Sequence, residues 1–275
     1  MLAAIAQLQS TKSIFRNLAK CKELIIEAAA KGASCIFFPE ASDFIAENVN
    51  ESVELTSTEE NKKFLQGICE QAIRSKIHVN ICVHEASECA GKIYNSNIWI
   101  EPTRGTIAAR YHKVHLFDVD LGPGKTFKES NSTMPGTEIP SPVMTPLGKV
   151  GLAICFDLRF PELAQHLRSK GADILVYPSA FTEKTGAAHW ETLLRARAID
   201  SQCFVVAAAQ HGAHNAKRTS YGHSMVIDPW GTVIAQYSDM NTPEGLLLFD
   251  VNLSIAERVR RAIPLARRND LYPKL

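Results

Sequence analysis

The chain has 275 residues, enough to bury a sizeable core without disulfide or metal staples, and 45% hydrophobic with 21% charged residues is the composition of a folded globular protein. With 30 Lys and Arg against 29 Asp and Glu the formal net charge is +1, too balanced for a protein that lives on phosphate backbones, so nucleic acid is excluded as a first reading. Seven cysteines without a Cys-x-x-Cys pair suggest neither a disulfide framework nor a zinc ribbon, and no apolar run approaches the ~20 residues of a membrane span. The expectation is a cytoplasmic protein of one domain over residues 1–275, with no metal, cofactor or membrane partner. The start, MLAAIAQLQSTKSIF, lacks a charged n-region and is poor in Arg, which argues against a signal peptide or presequence here and leaves a mitochondrial form from a longer precursor open.

Leu2 to Leu8 is apolar and short enough for a buried strand. From Lys12 to Lys31, Ile14, Phe15, Leu18, Cys21, Ile25 and Ala28 recur at helical spacing, with Gly32 as a stop. A second buried strand, Cys35 to Phe38, closes on Pro39 and Glu40. Thr58 predicts an N-cap for an amphipathic helix through Phe64, Leu65, Ile68, Cys69, Ala72 and Ile73. Val79 to His84 reads as a strand, and Tyr94 to Ile100 with Thr106 to Tyr111 as a hairpin. In the second half, strands are expected at Val150 to Cys155 and Cys203 to Ala208, and helices after Pro161 and from about His189 to Ile199.

The two halves share a grammar. KGASCIFFPEA at 31–41 reappears as KGADILVYPSA at 170–180, and IEPTRGTI at 100–107 is echoed by IDPWGTVI at 227–234. Two similar α/β half-sheets can pack face to face with helices outside, giving an α-β-β-α sandwich. The alternative is punctuation common to any α/β protein.

Ligands of such sheets bind beyond the carboxyl ends of strands, and Glu40 and Cys155 stand at two of them. Cys155 passes from strand to helix, where amide dipoles can lower a thiol pKa from about 8.5 and favour a nucleophile; the alternative is a small buried hydrophobe. Cys35, Cys69, Cys82 and Cys203 fit that second role, lying inside apolar patterns. None of the nine histidines is marked as its base, and His112, His115, His211 and His214 form two HxxH spacings without a third ligand. The string Gly222-His223-Ser224-Met225-Val226 is not a serine elbow, and Gly124-Lys125-Thr126 lacks the first glycine of a phosphate loop.

Three strings carry a resemblance. FFPEA with Glu40, RYHKVHLFD with Lys113 and GLAICFDLRFPEL with Cys155 match, in order, the Glu-Lys-Cys motifs of the nitrilase superfamily, and the similarity runs from residue 1 to the final Arg268-Asn269-Asp270-Leu271-Tyr272. The resemblance implies the α-β-β-α sandwich, Glu40 as general base and acid, Cys155 as nucleophile, and Lys113 as oxyanion cation, with the backbone N–H of Phe156 as a second donor. It also implies that Glu129, in TFKESN, positions Lys113 and the substrate; a solvated loop carboxylate is the alternative. Phe156-Asp157 after the cysteine, instead of the Trp-Glu of true nitrilases, disfavours nitrile hydrolysis. FDVDL, KESN, CFDLRFPEL, AHWETLLRARAID, QCFVVAAAQ and YGHSMVIDPWGTV resemble the Nit group, some of whose members are fused to or partnered with Fhit.

Within that group the resemblance implies a small amide with a 2-oxo acid head as substrate. The strings after residue 200 favour deaminated glutathione, hydrolysed to α-ketoglutarate and cysteinylglycine, over the ω-amidase substrate α-ketoglutaramate. A Fhit-linked binding or signalling protein with incidental amidase activity is the alternative from another class. Superfamily members imply a homodimer or larger assembly. Arg159 is expected to grip the acid head, with an ion pair to Glu162 or another structural partner as its alternative. Ser179, Phe181 and Thr182 are expected to line the cleft, and His189, Trp190 and Glu191 to begin the next helix and wall it. Arg258, Arg260, Arg261, Arg267 and Arg268 read as a solvated or subunit-contacting arm.

Overall fold

The computed structural model describes residues 1–275 except 121, 123–125, 238–243, 269 and 272–275. Gly124 and Lys125 of the failed phosphate loop, Leu121 of FDVDL, and Asn269 and Tyr272 of the C-terminal string lie outside the described residues. The first half runs β1 (Leu2–Leu8), α1 (Ile14–Ala30), β2 (Cys35–Phe37), α2 (Val49–Thr56), α3 (Glu59–Ser75), β3 (His78–Ala86), β4 (Ile93–Glu101) and β5 (Thr106–His112). A small hairpin, β6 (Asp118–Asp120) with β7 (Thr126–Lys128), leads to the second half. There follow β8 (Val143–Thr145), β9 (Gly148–Leu152), α4 (Pro161–Ser169), β10 (Ile174–Val176), α5 (Glu183–Ser201) and β11 (Phe204–Ala207). The chain ends with β12 (Ala209–Asn215), β13 (Arg218–Tyr221), β14 (Met225–Ile227), β15 (Val233–Gln236), β16 (Gly245–Asp250) and α6 (Leu253–Ala262).

The repeat is a repeat of topology. In one sheet β1, β2 and β3 are parallel and β4 and β5 return antiparallel; in the other β9, β10 and β11 are parallel and β14 and β15 return. Local geometry repeats too, because Gly32 (φ 82°) and Gly171 (φ 93°) both enter the left-handed region that a side chain resists. Each ends its helix with the same bonds: Gly32 N–H to Ala29 O and Ala33 N–H to Ala28 O, then Gly171 N–H to Arg168 O and Ala172 N–H to Leu167 O.

The sheets pack face to face over a core that joins Ile5, Phe37, Cys82 and Trp99 of one to Val150, Leu152, Ile174 and Val205 of the other. Outside the first sheet, Ile25, Phe64, Ile68 and Ala72 of α1 and α3 cover Ile36, Val79 and Ile81. Outside the second, Gly151 lets α4 close in, since a Cβ there would stand 3.1 Å from Leu167. The fold is therefore the α-β-β-α sandwich read from the repeat.

One connection departs from simple duplication. β11 belongs to the second sheet, but after Ala208 the same run continues as β12, which pairs with β1 of the first sheet, and β13 follows it there. Unbroken apolar patterning from 203 to 209 hid the crossing. α5 begins at Glu183, capped by Thr182, so His189, Trp190 and Glu191 lie inside the helix and not at its start. α2 follows a stretch without strong periodicity and was not expected. Among the described residues no helix is long and apolar enough to cross a membrane.

Candidate functional site

Glu40 follows β2, Lys113 follows β5 and Cys155 follows β9, and sheet packing brings these three ends together in a nearly closed site. Glu40 is 5%, Lys113 1% and Cys155 7% exposed. The Lys113 Nζ donates to Glu40 Oε1 at 2.9 Å and to both oxygens of Glu129 at 3.1 and 2.9 Å. The second Glu40 oxygen accepts the Ala180 backbone N–H at 2.9 Å, so the carboxylate is fixed by the residue that follows its own repeat counterpart, Ser179. Glu129 is held in turn by the Phe117 N–H at 2.6 Å.

Cys155 opens a short 3-10 turn, Cys155–Arg159, with φ 46°, a left-handed conformation that costs a non-glycine residue about 1–2 kcal/mol. What maintains it is Asp157, fully buried. Its carboxylate accepts from the Ile154 N–H at 2.8 Å, the Tyr111 hydroxyl at 2.8 Å, and the His115 N–H and Nδ1 at 3.2 and 2.7 Å. Asn97 adds a clip from the opposite sheet, donating to Ala153 O at 2.9 Å. Phe156, second in the turn, has an N–H without an acceptor inside it, as the first residues of any helical turn do.

The charges settle one another. Burial alone would raise the Glu40 pKa, but the Lys113 ammonium outweighs it and holds the carboxyl below its usual range. Burial would discharge Lys113, but Glu129 and Glu40 keep its pKa well above normal. The Cys155 thiol is pushed up, by burial first and then by the facing Glu40 carboxylate, against the pull of Lys113. The direction runs against the sequence expectation of a lowered thiol pKa, because the thiol is buried and faces a carboxylate. The resting arrangement is thus a neutral thiol beside an ionised carboxylate and a fixed cation, able to move a proton from sulfur to Glu40 as sulfur bonds to an electrophile.

Arg159 stands at the rim. Its guanidinium lies 5.7 Å from the ring centroids of both Phe156 and Phe181 and bonds His189 Nδ1 at 3.2 Å. Among the described residues no carboxylate oxygen lies within 4.0 Å of it, so Glu162 is not its partner, while His189 is a structural one. Phe181 packs on Trp190 at 4.9 Å. Ser179 does not line a cleft: it is fully buried and its hydroxyl donates to Tyr177 O, because the chain bridges to Ala209 there. The Thr182 oxygen is engaged as the N-cap of α5, accepting the Thr185 N–H. His214 is likewise structural, bonded to Ser10 O and Ser220 Oγ. Arg260 belongs to no free arm, bonding Asp173 and the carbonyls of Ala172 and Gln202.

Two site residues were missed in the sequence. Asn95, 4% exposed, donates from Nδ2 to Glu40 Oε1 at 2.8 Å and Glu129 Oε1 at 3.3 Å, while its own oxygen faces the Cys82 thiol at 3.1 Å. The signal was Asn95-Ser96-Asn97, polar residues at strand spacing inside an apolar run. Asp157 was visible two residues past the cysteine and was read only as part of a motif. Among the described residues no group of three or more His, Cys, Asp or Glu side chains is placed to hold a metal ion.

Comparison with known proteins agrees with this architecture. The carbon-nitrogen hydrolase family model matches residues 2–261. The chain is 62% identical over 274 residues to a probable hydrolase, nit2, of Schizosaccharomyces pombe, covering 100% of this chain and 99% of that one. It is 47% identical over 280 residues to the deaminated glutathione amidase of Homo sapiens, covering 100% of this chain and 84% of that one. The crystal structure of the Caenorhabditis elegans NitFhit protein superposes with a TM-score of 0.91 at 42% identity, over 98% of this chain and 66% of that longer one. The chain belongs to the carbon-nitrogen hydrolase family of the nitrilase superfamily.

Proposed function

We propose that the protein is a cysteine amidase that hydrolyses deaminated glutathione. The observation that carries the reading is the buried Glu40, Lys113 and Cys155 cluster with Arg159, a cation free of carboxylates among the described residues, at its rim. The 2-oxo acid head pairs with Arg159, which puts the amide carbonyl over Cys155. Sulfur adds to the carbonyl carbon as Glu40 takes the thiol proton, and the oxyanion forms against Lys113 and the Phe156 N–H. Glu40 returns the proton to nitrogen as the carbon–nitrogen bond breaks and cysteinylglycine leaves. Water, deprotonated by Glu40, then opens the thioester to α-ketoglutarate and the thiol regains its proton. Glu129 and Asn95 hold Lys113 and Glu40 in place.

The names of the human and Synechocystis relatives, both deaminated glutathione amidases, support the substrate. Seven unpaired thiols support a reducing compartment, the cytoplasm. Fusion of a similar chain to Fhit in the worm relative supports a Fhit-type partner, and Ile199, Trp230 and Leu265, each more than half exposed, support self-association. The test is release of α-ketoglutarate from deaminated glutathione and from α-ketoglutaramate by purified protein, with Cys155→Ala as blank. Faster turnover of the peptide-bearing substrate is expected. A preference for α-ketoglutaramate would move the protein to the ω-amidase reading, and turnover surviving in Cys155→Ala would sink the mechanism.

A further inference from the structure

A second cation without a carboxylate partner among the described residues stands near the site, on a different element from Arg159. Arg218 opens β13, the strand that pairs with β12 and bridges Thr182 through Ser220. That strand lies beside the loop from Ala180 to Thr182, whose Ala180 N–H fixes Glu40, with Arg218 two residues beyond the Thr182 pairing. Tyr221 N–H donates to Phe181 O, Gln210 of β12 donates to the backbone oxygens of Glu40 and Ala41, and these bonds lock the hairpin to both loops. Side chains two apart in a strand share a face. Ser220 turns to His214, which is itself bonded to Ser10, so Arg218 is on the face directed at the β1 and β2 ends. Its charge acts on Glu40, His84 and His214, whereas the charge felt at Arg159 is that of Cys155. No ion pair engages the exposed Arg218 guanidinium among the described residues.

Polarity of the reaction assigns the two sides. This step rests on the mechanism proposed above: the acyl group stays on Cys155 while the leaving nitrogen collects its proton from Glu40, so the amine departs on the Glu40 side. We infer that Arg218 forms a second carboxylate subsite, on the leaving-amine side, that selects amides whose amine carries an acid group of its own. A two-residue leaving group spans at most about 7 Å, so its carboxylate ends beyond Glu40 and away from the sulfur. The substrate class is then an amide acidic at both ends, with Arg159 and Arg218 as the two anchors. An amide that releases ammonia has nothing to offer the second anchor.

The experiment compares Arg218→Gln and Arg218→Lys with the parent on deaminated glutathione and on its analogue whose terminal glycine is carboxamidated, at a pH on the plateau of the activity profile. A charge-assisted hydrogen bond predicts that the kcat/KM ratio of acid over carboxamide falls about tenfold in Arg218→Gln, mainly through KM, with partial recovery in Arg218→Lys. An unchanged ratio, with both substrates losing equally or neither losing, overturns the inference. Binding is measured separately by calorimetry with Cys155→Ala and Cys155→Ala/Arg218→Gln, using the same two compounds. Charge-dependent binding without turnover by the parent would leave the subsite standing and sink the proposed activity. Turnover without charge-dependent binding would do the reverse.

Discussion

Replacing Lys113 by Met keeps the length of the side chain and removes the one cation shared by the buried Glu40 and the partly exposed Glu129. Lys113 makes three contacts of 2.9–3.1 Å to Glu40 and Glu129 at 1% exposure, so both acids lose their charge partner at once. Breaking a buried pair in this way costs about 3–5 kcal/mol of stability, less whatever is recovered when one acid takes up a proton. Loss of an oxyanion donor separately lowers kcat by about a hundred- to a thousandfold. The pH profile carries the sharper signature. In the parent, Glu40 titrates below the ordinary carboxylate range because Lys113 overcomes burial, so activity that needs ionised Glu40 falls only as the pH drops through that lowered value. Without Lys113, burial is opposed only by the Asn95 and Ala180 donors, the Cys155 thiol and the more distant Arg218 charge, and the acid limb of kcat/KM moves to higher pH. The assay is kcat/KM from pH 4 to 9 for both proteins, with thermal unfolding beside it. An acid limb that stays in place, or a rate within tenfold of the parent, would refute the reasoning that Lys113 sets both the base and the oxyanion site.

Asp157→Asn swaps an acceptor that serves four donors for a group with one oxygen, leaving at least two of them unmatched; a loss of about 3–5 kcal/mol in urea unfolding is expected, together with a fall in kcat as the Cys155 turn relaxes. Wild-type stability at that position would show that the turn is held by something else. His214, buried with its pKa pushed down to about 4, stays neutral in the fold while the unfolded chain binds a proton from pH ~6.5 downward. Its folded value lies below the unfolded one, so stability falls by roughly 3 kcal/mol as the pH drops from ~6.5 to about 4. His214→Gln should flatten that part of the stability curve, and an unaltered slope would contradict the assignment.

How far the sequence could be read depended on whether the signal was local. Strands β2 and β10 were legible because lysine-glycine stops and prolines bracket three or four apolar residues, and a repeated bracket implied a repeated half-sheet. The crossing at Ala208 was not, since residues 203–209 are apolar whichever sheet they join. Glu40, Lys113 and Cys155 were found as motifs, yet the raised thiol pKa could be known only once 7% exposure and the facing Glu40 were in view. Ser179 and Thr182 were placed by strand order at the cleft, but hydrogen bonding to Tyr177 O and capping of α5 took their hydroxyls. Asn95 was overlooked because a polar residue in a strand usually faces solvent, and here the second sheet covers that face.

The passage of one run from sheet to sheet bears on how the chain is made. β1 is synthesised first, yet both strands that pair along its edge, β12 and β16, arrive some 200 residues later, and Met1 itself is tied to Val251. A growing polypeptide that has delivered only its first half therefore offers an unpaired strand edge and an apolar face awaiting the second sheet. A transcript truncated before Ala209 is therefore expected to give a product prone to aggregate rather than a working half.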